Sequence, residues 1–127
     1  MAPRRYPWGD APPTPTRAIY GRPYNAAAAV SATTPDGESP YRVQDMPGNL
    51  REWTASEYRP YPYVAANGRE SAGRLARRVV RGASHDDPVD LLRVTIRRYY
   101  EHRGRARGHH SIGFRCATSE DLGEVAK

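Results

Sequence analysis

The stretch of sequence that constrains the fold most is a turn that lies between two acidic residues and leads into a strand. The letters QDMPGNLREW occupy positions 44–53, with Asp45 before the turn and Glu52 after it. Gly48 suits the left-handed backbone of a tight turn, and a strand is predicted to begin near Glu52. A hard cation such as calcium takes its oxygen ligands from carboxylates and from carbonyls that such a turn directs inward. The spacing alone is more often that of a surface turn with solvated acids.

Composition indicates a single small domain with short elements. The chain has 127 residues, of which 38% are hydrophobic, so it has material for one core at most. Twelve prolines and eleven glycines favour loops over long helices. No apolar run is long enough to cross a membrane, and the N-terminus lacks the apolar region of a secretory signal. A single cysteine excludes an intramolecular disulfide, and we expect a cytoplasmic bacterial protein.

Alternating apolar residues predict the remaining strands. One strand is expected over residues 77–82. A second is expected over residues 91–100, where Leu92, Val94 and Ile96 fall on one face. The other assignments are irregular loop over residues 1–40 with a turn at 35–37, a closing strand over 112–117, and a disordered tail over 118–127.

Positive charge is concentrated in the last third of the chain. Residues 93–115 contain seven arginines and one acid, which alone accounts for the net charge of +6. Such a patch attracts phosphates or acidic partners. Arginine-rich strands and loops more commonly direct their guanidinium groups at loop carbonyls and buried acids. The candidate binding residues are Arg93, Arg97, Arg98, Arg103, Arg105 and Arg107.

Four segments, in order, resemble signature motifs of the formylglycine-generating enzyme family, also called the sulfatase-modifying-factor domain. They are YPWGD at residues 6–10, DMPGNLREW at 45–53, RVVRGAS at 78–84 and IGFRCA at 112–117. The corresponding family motifs are YPWG, DMxGNxxEW, RVxRGGSW and GFRCA. Any one segment is a weak signal, but four in family order across most of the chain are specific.

The resemblance implies an α+β fold of the irregular, loop-rich, C-type-lectin-like kind. In the family, YPWG lies near the middle of the domain, whereas here it lies close to the first residue. We therefore expect residues 1–117 to be the C-terminal portion of such a domain, so that the fold is partial. The expected explanations are a separately encoded N-terminal half, a gene remnant or a stand-alone derivative.

The same resemblance implies a structural calcium ion at the turn. Carried over residue by residue, Asp45 and Glu52 would supply side-chain oxygens, and Gly48 and Leu50 would supply backbone carbonyls. A second family calcium site takes an asparagine where this chain has Ile19, so we expect that site to be lost.

The family's oxidase reaction requires two cysteines soon after the RGGSW strand, where thiolates hold copper(I). The matching positions here fall near Asp87 and Leu92, and Cys116 matches a structural cysteine of the family. We therefore expect neither copper nor formylglycine-generating activity, and the chain is predicted to be a pseudoenzyme.

Three functions follow from these observations. The first is a binding module whose ligand is a peptide, a protein partner or an acidic group. The second is an enzyme, or the C-terminal half of one, of the formylglycine-generating oxidase or iron-dependent sulfoxide synthase kind. In the synthases, the iron ligands are histidines of a separate N-terminal bundle. The third and weakest is nucleic-acid binding through residues 93–115, where Tyr99 and Tyr100 could stack on bases, although no recognised motif accompanies the charge.

Overall fold

Four short strands and three 3₁₀ turns make up the regular structure of the described chain. The computed structural model describes residues 3–71, 76–100 and 109–118. The strands are β1 (Arg51–Glu57), β2 (Arg78–Arg81), β3 (Arg97–Tyr100) and β4 (Ile112–Gly113), and the 3₁₀ turns span Pro35–Gly37, Ala65–Asn67 and Val89–Leu92. Within these ranges, no helix has the length and apolar character needed to cross a membrane.

The strands form one mixed sheet in the order β3-β2-β1-β4. The pairs β1–β2 and β2–β3 are antiparallel, and β4 runs parallel to β1. Directly opposed residues share a face, so Trp53, Val80 and Arg98 lie on one side of the sheet. Arg81 and Arg97 lie on the other side. The pairing of β1 with β2 is irregular between Trp53 and Glu57.

The predicted strands are confirmed in place, and all except β1 are shorter than expected. The strand predicted over 77–82 is β2, and the strand predicted from Glu52 is β1. The strand predicted over 91–100 begins only at Arg97. Leu92 turns inward, with 1% of its surface exposed, and belongs to the 3₁₀ turn. The backbone of Val94 pairs with the Arg5 carbonyl and the Arg81 side chain rather than with a strand.

The predictions for the two ends of the chain are confirmed where the structure describes them, except that the closing strand is shorter. Residues 3–40 are loop, with a 3₁₀ turn at Pro35–Gly37 where the Pro-Asp-Gly sequence predicts a turn. The closing strand predicted over 112–117 is reduced to Ile112–Gly113, because Arg115 departs from the sheet to bond Glu52 and the Gln44 carbonyl. The predicted tail falls, from residue 119 onward, outside the described residues.

Aromatic rings replace aliphatic side chains in the small core. Tyr6, Ala18, Ala83 and Leu92 form the buried cluster, and Trp8, Tyr20 and Leu91 pack against it. The rings of Tyr6 and Trp8 stack with their centroids 5.3 Å apart. Each ring buries a large area in a chain with few long aliphatic residues, so the N-terminal loop contributes directly to the core.

A buried ion pair joins the sheet to the loop that follows β2. Arg51 of β1 and Asp87 are both more than nine-tenths buried and in direct contact. Arg51 also donates from Nη1 to the Ser111 hydroxyl at 2.9 Å. Asp87 accepts the Ser84 backbone N–H at 2.8 Å, and Arg98 of β3 lies 3.6 Å from it. The pair thereby connects β1 to the loop after β2, to β3 and to the residue before β4.

Gly48→Ala is predicted to destabilise the fold more than Gly68→Ala. Both glycines have positive φ, +95° and +76°, and a side chain there costs about 1 to 2 kcal/mol. A Cβ on Gly48 would overlap the Ile19 carbonyl oxygen, whereas at Gly68 the nearest atom is the Ser71 hydroxyl at 3.7 Å. Overpacking should add about 1 to 3 kcal/mol at Gly48. Urea denaturation of the two variants measures the difference, and equal losses would contradict the close approach of this turn to Ile19.

Candidate functional site

The turn before β1 borders an open pocket of about 500 Å³. Asp45, Gly48 and Asn49 have φ values of 54°, 95° and 60°, which confirms the predicted left-handed turn. The side chains of Asp45 and Glu52 line the same pocket, together with Arg115 from the segment after β4. The turn therefore brings both predicted acidic residues to one place.

An arginine already occupies the position of a cation beside Glu52. Arg115 donates from Nε to both carboxylate oxygens of Glu52 at 3.1 Å, and from Nη2 to Oε1 at 2.7 Å. The same Nη2 donates to the Gln44 carbonyl at 2.8 Å. The hydrogen bonds to Glu52 raise the pKa of Arg115, and the charges of Glu52 and Asp45 raise it further against the opposing effect of burial. The guanidinium thus neutralises one of the two acids of the turn.

Asp45 is also engaged by its neighbours. Its carboxylate accepts the Ser31 backbone N–H at 2.7 Å and the Thr33 hydroxyl at 3.3 Å. Among residues 3–71, 76–100 and 109–118, no three His, Cys, Asp or Glu side chains come together in a way that could hold a metal ion. The oxygen donors are of the type calcium prefers, but an ion at Glu52 would have to compete with Arg115. Calcium coordination by Asp45, Gly48, Leu50 and Glu52 stays a prediction.

A second feature is a ladder of aromatic rings and guanidinium groups. We call it the tyrosine–arginine stack, formed by Tyr58, Tyr61, Arg77, Arg97 and Tyr99. The Arg97 guanidinium lies 4.7 Å from the Tyr58 ring centroid and 4.4 Å from that of Tyr61. The ring centroids of Tyr58 and Tyr99 are 4.6 Å apart, and the Arg77 guanidinium lies 4.9 Å from the Tyr99 ring centroid. Cation–π contacts of this kind hold the exposed rings in fixed positions.

The predicted basic patch is divided by the geometry of β3. Arg97 and Arg98 are neighbours in the strand, so their side chains point to opposite faces. Arg97 enters the stack and donates to the Arg59 carbonyl at 2.8 Å, whereas Arg98 approaches Asp87. Arg93 is exposed before the strand. The other three candidates, Arg103, Arg105 and Arg107, lie outside the described residues.

Two arginines that the sequence prediction did not select join Arg97 around a smaller cavity. Arg69 and Arg81 line this space of about 210 Å³, and the rings of Tyr61 and Tyr63 complete its aromatic side. Arg69 is 3% exposed, and its guanidinium lies 4.8 Å from the Tyr63 ring centroid. The alternation of Tyr and Pro at 58–63 was a signal for ring packing, but no local pattern links it to residues 69 and 81.

Structural side chains occupy Asp87 and Leu92, near which the family resemblance places two thiols. Asp87 is held in the buried ion pair with Arg51, and Leu92 packs in the core. Cys116 is the only cysteine of the sequence, and it is exposed. The loop after β2 therefore offers a carboxylate and an isobutyl group, neither of which is a ligand for copper(I).

Hydrogen bonds engage His85 and Asp86 of this loop and His110 of the segment before β4. His85 is fully buried, with Nδ1 at 3.1 Å from the Asn49 carbonyl. Asp86 accepts the Ser84 hydroxyl and lies 3.1 Å from Nε2 of His110. The Ser84 bond, followed by that to His110, lowers the pKa of Asp86 from 3.8 to about 2 against a smaller opposing effect of burial. Its stabilising contribution is complete above pH 3.8 and is lost as the pH falls towards 2.

Comparison with known proteins gives one family and one fold. The chain matches the family model of the sulfatase-modifying factor enzyme 1-like domain over residues 2–120. It is also similar to the Treponema denticola variable protein 1, with a TM-score of 0.56 at 20% identity. That likeness covers 79% of this chain and 35% of the other. It confirms the predicted fold, which is α+β, loop-rich and present here in part.

The curated relatives share one name. A hercynine oxygenase of Mycolicibacterium thermoresistibile is 38% identical over 104 residues, which is 76% of this chain and 23% of that protein. Hercynine oxygenases of Mycolicibacterium smegmatis and Mycobacterium tuberculosis are 43% and 44% identical over 59 residues, 46% of this chain and 14% of each relative. The chain therefore spans less than a quarter of the length of these relatives.

Calcium should stabilise an Arg115→Gln variant more than it stabilises the unchanged chain. Removing the guanidinium frees Glu52 for an ion, and a ligand at ten times its dissociation constant adds about 1.4 kcal/mol, or several degrees in a domain of this size. The measurement is the shift in melting temperature between calcium and EDTA for each protein. A double variant that also carries Glu52→Gln should lose the response. An equal shift with and without Arg115 would contradict the competition, and no shift in any of the proteins would contradict the calcium prediction.

Proposed function

Because the chain belongs to the sulfatase-modifying factor enzyme 1-like domain family, we propose that it is a binding module of that family without copper-dependent oxidase activity. The observation that carries the proposal is the burial of Asp87 against Arg51 at a position where the resemblance calls for a thiol. A cysteine there would leave Arg51 buried without its partner, which is costly. Copper(I) chemistry by a thiolate pair has no second sulfur to use, since the sequence contains one cysteine.

The tyrosine–arginine stack supports a binding role. Tyr61 is 66% exposed, yet its ring is held against Arg97, which is itself bonded to the Arg59 carbonyl. Rigid aromatic rings and arginines are the side chains that contribute most to recognition surfaces, because little conformational entropy is lost when they are covered. The ligand classes for such a surface are a peptide, a protein partner or an acidic group.

The proposed absence of oxidase activity can be tested directly. We expect the folded chain, loaded with copper(I) in air, to convert no cysteine-containing peptide to formylglycine, as measured by mass spectrometry. A Cys116→Ser variant should give the same result, because the exposed thiol of Cys116 has no partner sulfur. Turnover that depends on copper and disappears in Cys116→Ser would refute the proposal.

The second candidate is a section of a larger oxygenase. It is favoured by the names of the relatives, which are hercynine oxygenases and are more than four times as long as the matched segment. In that case this chain would contribute substrate-contacting surface, and the remaining parts of the enzyme, such as an N-terminal half-domain, would supply the reaction chemistry. A cytoplasmic location agrees with either candidate and stays a prediction.

Binding of hercynine separates the two candidates. If the chain is the substrate-contacting section of such an oxygenase, titration with hercynine should produce saturable heat in calorimetry and localised shifts in amide NMR signals. An analogue in which a phenyl ring replaces the imidazole ring serves as the control and should bind more weakly. Absence of saturable binding to the folded chain would reject the oxygenase candidate in favour of the module with another ligand.

A further inference from the structure

The cavity next to the tyrosine–arginine stack holds three arginines and little opposing charge. Arg69, Arg81 and Arg97 line it, and the one carboxylate among its described lining residues is that of Glu57. Glu57 is in contact with Arg59 at 2.7 Å, so its charge is already balanced. None of the three lining arginines lies within ion-pair distance of a carboxylate in the part of the chain that the structure describes. Glu70 lies next to the lining, where its carboxylate accepts the Ser56 and Tyr63 hydroxyls. With both acids counted, the three arginines still give the cavity a net positive charge.

Neutral partners hold these guanidinium groups in place. Arg81 donates to the Val94 carbonyl, and Arg97 donates to the Arg59 carbonyl. Arg69 donates from Nε to the Asn67 side-chain oxygen at 3.1 Å. A guanidinium has five N–H donors, so these bonds position each group and leave donors over. Carbonyl partners orient the arginines without cancelling their charge.

Burial makes this arrangement costly unless an anion joins it. Only 3% of the surface of Arg69 is exposed to solvent. Its hydrogen-bond partners, the Asn67 side chain and the Pro60 carbonyl, are uncharged. A buried charge without a counter-ion is destabilising, and a bound anion relieves that cost. Aromatic contacts from Tyr63 on Arg69 and from Tyr61 on Arg97 offset part of it in the absence of a ligand.

We propose that this cavity binds a compact oxyanion, the carboxylate or phosphate group of a small ligand. Arg81 and Arg97 are directly paired residues on β2 and β3, so their side chains leave the same face of the sheet, and planar guanidinium forks match the oxygens of both anions. The volume of about 210 Å³ is below the roughly 300–1,000 Å³ of pockets for drug-sized molecules, so it takes an anionic group rather than a whole large ligand. This inference rests on the proposed binding role and names the ligand chemistry of the same surface.

The first test follows the arginine Nε–H signals by NMR while the full chain is titrated with inorganic phosphate and, separately, with malonate. Ionic strength is held constant, because salt alone screens exposed charges. Saturable shifts at Arg81 and Arg97 are expected, and the tighter of the two anions identifies phosphate or carboxylate as the natural group. Shifts that rise linearly without saturation, or that are equal at all arginines, would overturn the proposal.

Matched variants then assign the binding to the cavity. Arg81→Gln and Arg97→Gln should each weaken oxyanion affinity about tenfold or more, since each removes charge-assisted hydrogen bonds. Arg22→Gln removes the same charge from an exposed residue outside the cavity and should change the affinity less than twofold. Equal weakening by Arg22→Gln would overturn the proposal. If a glutamine variant fails to fold, Arg97→Lys keeps the charge but lacks the fork, and it should still weaken binding.

The outcomes separate this inference from the function on which it rests. A chain that binds hercynine or a peptide but neither oxyanion would disprove the oxyanion cavity and leave the binding role intact. A chain that forms formylglycine would disprove the binding role whatever the cavity takes up.

Discussion

The contact between Arg51 and Asp87 is the interaction on which the rest of the structure depends. It lies below the surface, where an ion pair must be completed by hydrogen bonds to be tolerated. Ser111 supports the arginine side, although Nε of Arg51 is buried without a hydrogen-bond partner among the described residues, and the backbone of Ser84 supports the carboxylate side. These four residues come from β1, the loop after β2 and the residue before β4, so the pair fixes segments whose own hydrogen-bond ladders are only two to seven residues long.

The same contact also ties the loop after β2 to the turn before β1. Asp87 accepts hydrogen bonds from Arg51 and from the Ser84 backbone N–H. In the same loop, the backbone N–H of His85 donates to the carbonyl of Asn49 in the turn. The turn and the loop therefore support each other. Removing the carboxylate would leave a buried guanidinium, at a cost of about 3–5 kcal/mol.

The local features of this fold can be predicted from the sequence, whereas the features that depend on long-range pairing cannot. The turn at Gly48, the strands β1 and β2 and the loop character of the first forty residues follow from turn residues and alternation. The length of β3 cannot be predicted in this way. The alternation of Leu92, Val94 and Ile96 suggests one long strand, but Leu92 packs in the core and β3 begins only at Arg97. The partnership of Glu52 with Arg115 spans 63 residues, and no periodicity reports such a contact. The cavity arginines at 69 and 81 were missed for the same reason.

Arginine acts in this chain chiefly as a cross-link between loops. Guanidinium groups of Arg17, Arg59, Arg78 and Arg115 donate to backbone carbonyls, which is the arrangement expected of an arginine-rich domain with few aliphatic residues. Three of these four bonds are exposed, so they connect segments of the chain at its surface. Arg115 also forms an ion pair with Glu52, which neutralises its charge. The cavity beside the tyrosine–arginine stack differs, because its three arginines donate to neutral oxygens and none forms an ion pair with a described carboxylate, which is why we propose an anion as its ligand.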